Sequence, residues 1–284
     1  MIKRFLVGTI AVVLAACQPG QAEPHKPGQH GQAQASAREA ERKTDLYQFK
    51  YAYPAQAGNI AALKDHLEKD LAKSESEVKA QALELWEFQK ELAQNDLAEA
   101  RGDEIAAARE GLANIEKYQF PFRPHYLAVA WGVAADLPRW LSMSARIETY
   151  SGGAHGNSHF DSLIWDRQAS VVRQTTDLFM SGDALRAAIQ PRFCDLIDAE
   201  REKRRGVPVK RSEDDTFSAC IDPLESTVLL ESSGGGTFEA ISVLVAPYQA
   251  GSYAEGSFVI KLPVSAALIA AAKPEYRKSF QIPQ

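Results

Sequence analysis

Cysteine is nearly absent from this 284-residue chain, which holds three: Cys17, Cys194 and Cys220. Neither of the later two has a histidine or another cysteine close by, so a thiolate metal site has nothing to build on. Apolar runs approaching 20 residues are lacking, and with them any sequence signal for a membrane-spanning helix. A positive balance is lacking as well: the formal net charge is -5, which argues against nonspecific nucleic-acid binding. No Gly-x-Ser-x-Gly nucleophile elbow occurs. The run Gly234-Gly235-Gly236 has no Lys-Ser/Thr after it, so it is not a phosphate loop. No Leu or Ile heptad is sustained, and no internal repeat has a fixed period.

What is present begins with an export pattern. Lys3 and Arg4 form a charged start, Phe5 to Leu14 an apolar run too short to span, and Leu14-Ala15-Ala16-Cys17 a lipobox. The reading is a lipoprotein signal over 1–16 with Cys17 as the lipidated residue, anchored to a membrane and not crossing it. A plain secretory signal with an incidental cysteine is the alternative. Gln18 stands where an Asp commonly retains lipoproteins in the inner membrane, so the expected location is the outer membrane of a Gram-negative envelope. With Cys17 acylated, Cys194 and Cys220 are an even pair, most simply one disulfide. Residues 17–44, rich in Gln, Pro, Gly, His and charge, read as a tether.

The ordered fold is expected to begin at Leu46, with a strand over 46–53 stopped by Pro54. Helical periodicity follows from Asn59, again from about Ser76, and a third time from about Asp96 to Ile115. After Pro124 the pattern turns to strands: 126–133, 140–150, 160–165 and Val171-Val172, separated by short turns, which reads as an antiparallel meander. Ser181-Gly182-Asp183 opens a helix that Pro191 is expected to interrupt. The basic run Arg201 to Arg205 closes it and suits a helix C-terminus. Strands at 226–230, 238–245 and 258–262 and a short apolar helix near 264–272 complete the chain. The fold class is α+β, an antiparallel meander with packed helices in two intimately associated parts, divided at 45–150 and 151–284.

Two glycine-punctuated loops stand out: Tyr150-Ser151-Gly152-Gly153-Ala154-His155-Gly156-Asn157, and Pro247-Tyr248-Gln249-Ala250-Gly251-Ser252-Tyr253-Ala254-Glu255-Gly256. With Leu178-Phe179 after the first and Val259-Ile260-Lys261-Leu262-Pro263 after the second, they resemble the signatures of a family of bacterial extracytoplasmic domains, DUF3298. The 46–53 strand with Pro54 resembles the start of the DUF4163 domain that often precedes it. These domains occur in a lysozyme-sensing anti-sigma factor and beside a peptidoglycan deacetylase domain. The resemblance implies an α+β architecture without catalytic activity or cofactor of its own. It also implies an envelope or extracellular protein, or a peptidoglycan fragment, as partner; a basic lysozyme-like enzyme fits the acidic charge.

Several residues carry alternative chemistry. His155, His159 and Asp161, with Glu148, have the types of a metal set, but no second cluster completes one, so no metal is expected. Ser151 or Ser158 beside His155 or His159 would supply a hydrolase, without a nucleophile motif around them. Glu148, Asp161 and Asp166 could pair as glycosidase carboxylates only by arbitrary choice. The residues assigned to recognition are Gly152, Gly153, His155, Asn157, Tyr248, Tyr253 and Glu255. The alternatives are a cell-wall or ester hydrolase using His155, and an envelope scaffold without ligand.

Overall fold

The computed structural model describes residues 36–117, 123–212, 214–215, 217–234 and 236–284. The signal over 1–16, Cys17 and most of the expected tether lie outside them. The chain enters as β1 (Ser36–Lys43), which pairs antiparallel with β2 (Tyr47–Pro54). This corrects the tether boundary at 44. Charged residues crowd β1 at 38, 39 and 41–43 because it is the edge of a sheet, where polar side chains on both faces cost little and discourage further pairing.

After the short helix α1 (Ala55–Gly58), α2 runs from Ala61 to Glu99 without interruption. The two expected helices from Asn59 and Ser76 are therefore one, about 58 Å long at 1.5 Å per residue. No Gly or Pro falls within it, and Ser74 and Ser76 lower helix propensity by only a few tenths of a kcal/mol. Leu63, Leu67, Leu71, Val78 and Ala82 form its buried stripe. The chain turns at Gly102 into α3 (Glu104–Glu116), and the Trp86 indole donates to the Ile115 carbonyl at 3.0 Å, joining the two helices.

β3 (His125–Asp136), β4 (Trp140–Tyr150), β5 (Asn157–Asp166) and β6 (Val171–Arg173) form the expected meander. The pairing of β2 with β3 is parallel, because the helices between them carry the chain back over the sheet. One six-stranded sheet, β1-β2-β3-β4-β5-β6, results. The boundary expected at 150/151 falls in its β4–β5 turn, inside the sheet. Phe49, Tyr51, Val129, Met143, Leu163 and the stripe of α2 share one core.

α4 (Gly182–Arg205) starts on the Ser181 side chain, which accepts from the Ala184 amide, and ends at Gly206 with φ 71°. Pro191 lies inside it and does not interrupt it. The proline is exposed, and Leu185, Ile189, Phe193 and Ile197 bury on both sides of it, so packing outweighs the lost hydrogen bond. β7 (Thr227–Glu231), β8 (Ala240–Val245) and β9 (Phe258–Pro263) make a second sheet, followed by α5 (Ala266–Ala271). Its core takes in α4, α5, Tyr276 and Phe280.

β4 and β5 serve both cores. Leu141, Met143 and Leu163 face the α2 side, whereas Trp140 and Ile164 belong to the second core. The hydroxyls of Ser162 and Thr175 donate to the Val228 carbonyl at 2.9 and 2.8 Å, and Thr227 to the Phe160 carbonyl at 2.8 Å. The fold is α+β, and the two sheets are stitched where the meander meets β7.

Candidate recognition surface

The two glycine-punctuated loops, more than 90 residues apart in sequence, meet. The His155 ring stacks on Tyr253 with centroids 3.8 Å apart and planes at 19°. Tyr248 lies 6.3 Å from His155 and 5.6 Å from Tyr253, and its hydroxyl is 3.3 Å from His155 Nε2. His155 Nδ1 is 2.8 Å from the carbonyl of Gly156. Both ring nitrogens are thus engaged by a carbonyl and a phenol, and the ring is fixed. Tyr248 is 48 % and Tyr253 37 % exposed, so the three rings form a platform open to solvent.

Each loop reaches this shape through local constraint. A Cβ on Gly156 would sit 2.7 Å from the Thr149 carbonyl oxygen, so only glycine lets the turn close onto β4. Tyr248 adopts φ 70°, costly for a bulky side chain. Gln249 holds it there: its side-chain oxygen accepts from the Ala246 amide at 2.7 Å and its amide donates to the Glu225 carbonyl at 3.2 Å. A single 3-10 turn, Tyr253–Glu255, presents Tyr253, and the Glu255 carboxylate caps it by accepting from the Ser252 amide at 2.9 Å.

The basic run at the end of α4 has a role its sequence did not reveal. Arg205 Nε meets the Glu255 carboxylate at 2.8 Å. Burial alone would raise that carboxyl, but the bonds from Arg205 and Ser252 outweigh it and hold it below the ordinary glutamate value. Arg204 donates to the carbonyls of Glu255 and Ser257 at 2.6 and 2.9 Å and lies over the Phe258 ring at 3.9 Å. Arg201, fully buried, donates to the Ala250 carbonyl at 2.9 Å. These contacts span about 50 residues, beyond the reach of any local pattern.

Other expected residues fall elsewhere. Glu255 is committed to Arg205 and Ser252 and is not a free acid beside the tyrosines. Asn157 accepts from the Ser158 amide at 2.9 Å at the start of β5. Gly152 and Gly153 line the far side of the loop, in a cleft of about 610 Å³ shared with Leu85, Gln89, Ile115 and Tyr150. His159 and Asp161 have the strand parity of Leu163 and Trp165, which face α2, so they part from His155. Glu148 pairs with Arg146 at 2.9 Å. Among the described residues, no three His, Cys, Asp or Glu are grouped as metal ligands. Asp166 is the anchor of the β5–β6 turn, bonded by Arg139 and Arg173. Cys194 is bonded to Cys220, with Cα atoms 5.4 Å apart.

Residues 40–158, less than half of the chain, match the model of a family described as Deacetylase PdaC. That part is PdaC-like, in line with the resemblance read from its strands and first glycine loop. Comparison with curated proteins finds no match. Among solved structures, a member of the DUF3298 family from Bacteroides fragilis is 16 % identical with a TM-score of 0.45, covering 81 % of this chain and 89 % of that one. A DUF3298 family protein from Pseudomonas aeruginosa is 14 % identical with a TM-score of 0.40, covering 87 % and 94 %. At these TM-scores the likeness carries no inference about activity.

Proposed function

We propose that this chain is a non-catalytic envelope lipoprotein that binds a cell-wall component on the platform of His155, Tyr248 and Tyr253. The observation that carries the reading is Tyr248, held at φ 70° with its ring exposed against a fixed histidine. Strain of that kind persists where the surroundings enforce it, and an exposed aromatic gains the fold little. Stacked rings with polar edges suit a saccharide, whose apolar ring faces lie on aromatics while its hydroxyls reach a phenol or imidazole. A basic protein would want an acid beside the tyrosines, and Glu255 is already paired with Arg205. A hydrolase would want His155 held by a carboxylate and facing a nucleophile; its nitrogens instead meet Gly156 and Tyr248.

Calorimetric titration with soluble peptidoglycan fragments, with Tyr248→Ala as control, tests this. Heat that disappears in the variant is expected. No heat at millimolar fragment, together with binding of a basic muramidase, would transfer the ligand to the protein class. Turnover of ester or muramidase substrates lost in His155→Ala would replace binding by catalysis. For the anchor, labelled palmitate is expected to enter the full-length chain and to be excluded by Cys17→Ser.

A further inference from the structure

Three arginines on one turn of α4 hold the platform loop, but one of them faces two ways. Arg201 Nε donates to the carbonyl of Ala250, inside the loop that carries Tyr248 and Tyr253. Its Nη1 donates to the carbonyl of Ala219 at 2.9 Å and to Asp198 at 3.0 Å. Ala219 immediately precedes Cys220, whose bond to Cys194 closes the 207–220 segment against α4. Further ties of that segment's described residues to α4 are the Val209 amide to Glu202 at 2.9 Å, and Arg211 to Asp195 at 3.0 Å and to Asp198. Among its described residues no strand or helix occurs, and the disulfide ties it covalently to α4.

The buried guanidinium is therefore a strut between two irregular segments, which also meet the same core through Ala250, Cys220 and Ile221. Its position is set by both carbonyls together with Asp198. A buried cation that loses one of its acceptors must find another partner or water. Freed from Ala219, Arg201 would keep only Asp198 and Ala250 as acceptors among the described residues, and its hold on Ala250 would slacken. Ala250 lies two residues from Tyr248 and three from Tyr253.

The geometry points to Arg201 as a positioning residue of the platform, one that couples it to the Cys194–Cys220 bond so that the three rings are held tightest while that bond is closed. The inference rests on the platform being the recognition surface and adds its regulation. Opening is a thiol–disulfide exchange: a dithiol reductant gives up two hydrogens and becomes a disulfide, and Cys194 and Cys220 become thiols. The platform then loosens and ligand binding falls, while the six-stranded sheet, to which none of Ala250, Asp198 and Ala219 belongs, stays folded.

The test reads the rings and needs no ligand, so its failure is distinct from failure of the proposed function. In proton NMR of the whole chain, the His155 ring signals, assigned with His155→Gln, carry an upfield ring-current shift from Tyr253. Dithiothreitol is expected to reduce that shift and to raise amide exchange at 247–256 about tenfold, with exchange in β2–β5 unchanged. Oxidised Arg201→Met is expected to show the same loss, and its reduction to add no further change, since both act through one strut. Cys194→Ala/Cys220→Ala provides the same state without reductant. An unchanged His155 shift on reduction overturns the proposal. So do additive effects of Arg201→Met and reduction, and so does exchange that rises equally throughout β2–β5, which makes the bond a support of the whole fold.

Discussion

At the scale of single residues, strain at Tyr248 separates stability from recognition. An L-residue near φ 70° pays roughly 1–2 kcal/mol that glycine does not. Tyr248→Gly and Tyr248→Ala remove the same ring, but only the first relieves the backbone. Urea unfolding is expected to show the glycine variant the more stable by about 1 kcal/mol, against the usual order in which alanine stabilises. Equal stabilities would mean the loop relaxes and the conformation is not enforced. Asp166 makes the opposite point, a charge whose surroundings are built for it. Its side chain is wholly buried and accepts from Arg139 at 3.3 Å, Arg173 at 3.0 Å and the amides of Gln168 and Ala169 at 3.1 Å each. Burial would raise its carboxyl, but these bonds outweigh it and hold it below the ordinary aspartate value. A depressed folded-state pKa gives stability that is present above the unfolded value and lost as pH falls through the folded one. Asp166→Asn is expected to cost about 2–3 kcal/mol near neutrality, less than a fully buried pair because both arginines keep contact with water. Its stability should also fall less on acidification, as denaturant melts between pH 6 and 2 would show.

At the scale of elements, the pairing of β2 with α2 is set by tyrosines. Tyr51 and Tyr53 are buried at the ring and donate to Asp70 and Glu68 of α2, each at 2.6 Å. Burial first, and the carboxylate partner second, push the Tyr53 phenol up to about 12 from 10.0, and move Tyr51 in the same direction. A raised folded-state value means the contribution is complete below pH 10 and is lost as pH rises toward 12. Phenolate absorbance is therefore expected to appear for these residues only with unfolding, and Tyr53→Phe to make the fall in stability between pH 10 and 12 smaller. A Tyr53 that titrates at its ordinary value in folded protein would remove this contact from the account. Alternation at 46–53 made the strand legible, and its neighbour α2 was legible as periodicity. That α2 is one helix was not, because two serines look like a boundary where nothing breaks the backbone. β1 was read as tether because an edge strand of charged residues has the composition of a linker. Its pairing with β2 depends on a partner's backbone, which composition does not register.

At the scale of the molecule, β4 and β5 lie between two cores, and Ser162 and Thr227 bond across the two sheets. The two parts named from sequence therefore share their central strands, and unfolding is expected to be one transition. Tryptophan fluorescence and far-ultraviolet circular dichroism should give coincident urea curves. Separate midpoints would mean that α4 and its sheet fold apart from the meander. The acidic balance, the absence of a spanning run, the meander and the glycine loops were all written locally, in residue type and spacing of a few positions. Sequence by itself thus determined the α+β class, the strand-rich middle and which loops to watch. Only the tertiary structure decided that those loops touch, that His155 belongs with Tyr248 and Tyr253 and not with His159 and Asp161, and that Arg201, Arg204 and Arg205 hold the surface. The physical reason is range. Strand alternation and turn chemistry act over a few residues, whereas stacking and arginine–carbonyl bonds join positions 50 to 100 residues apart, and these are specified only when packing brings them within 4 Å.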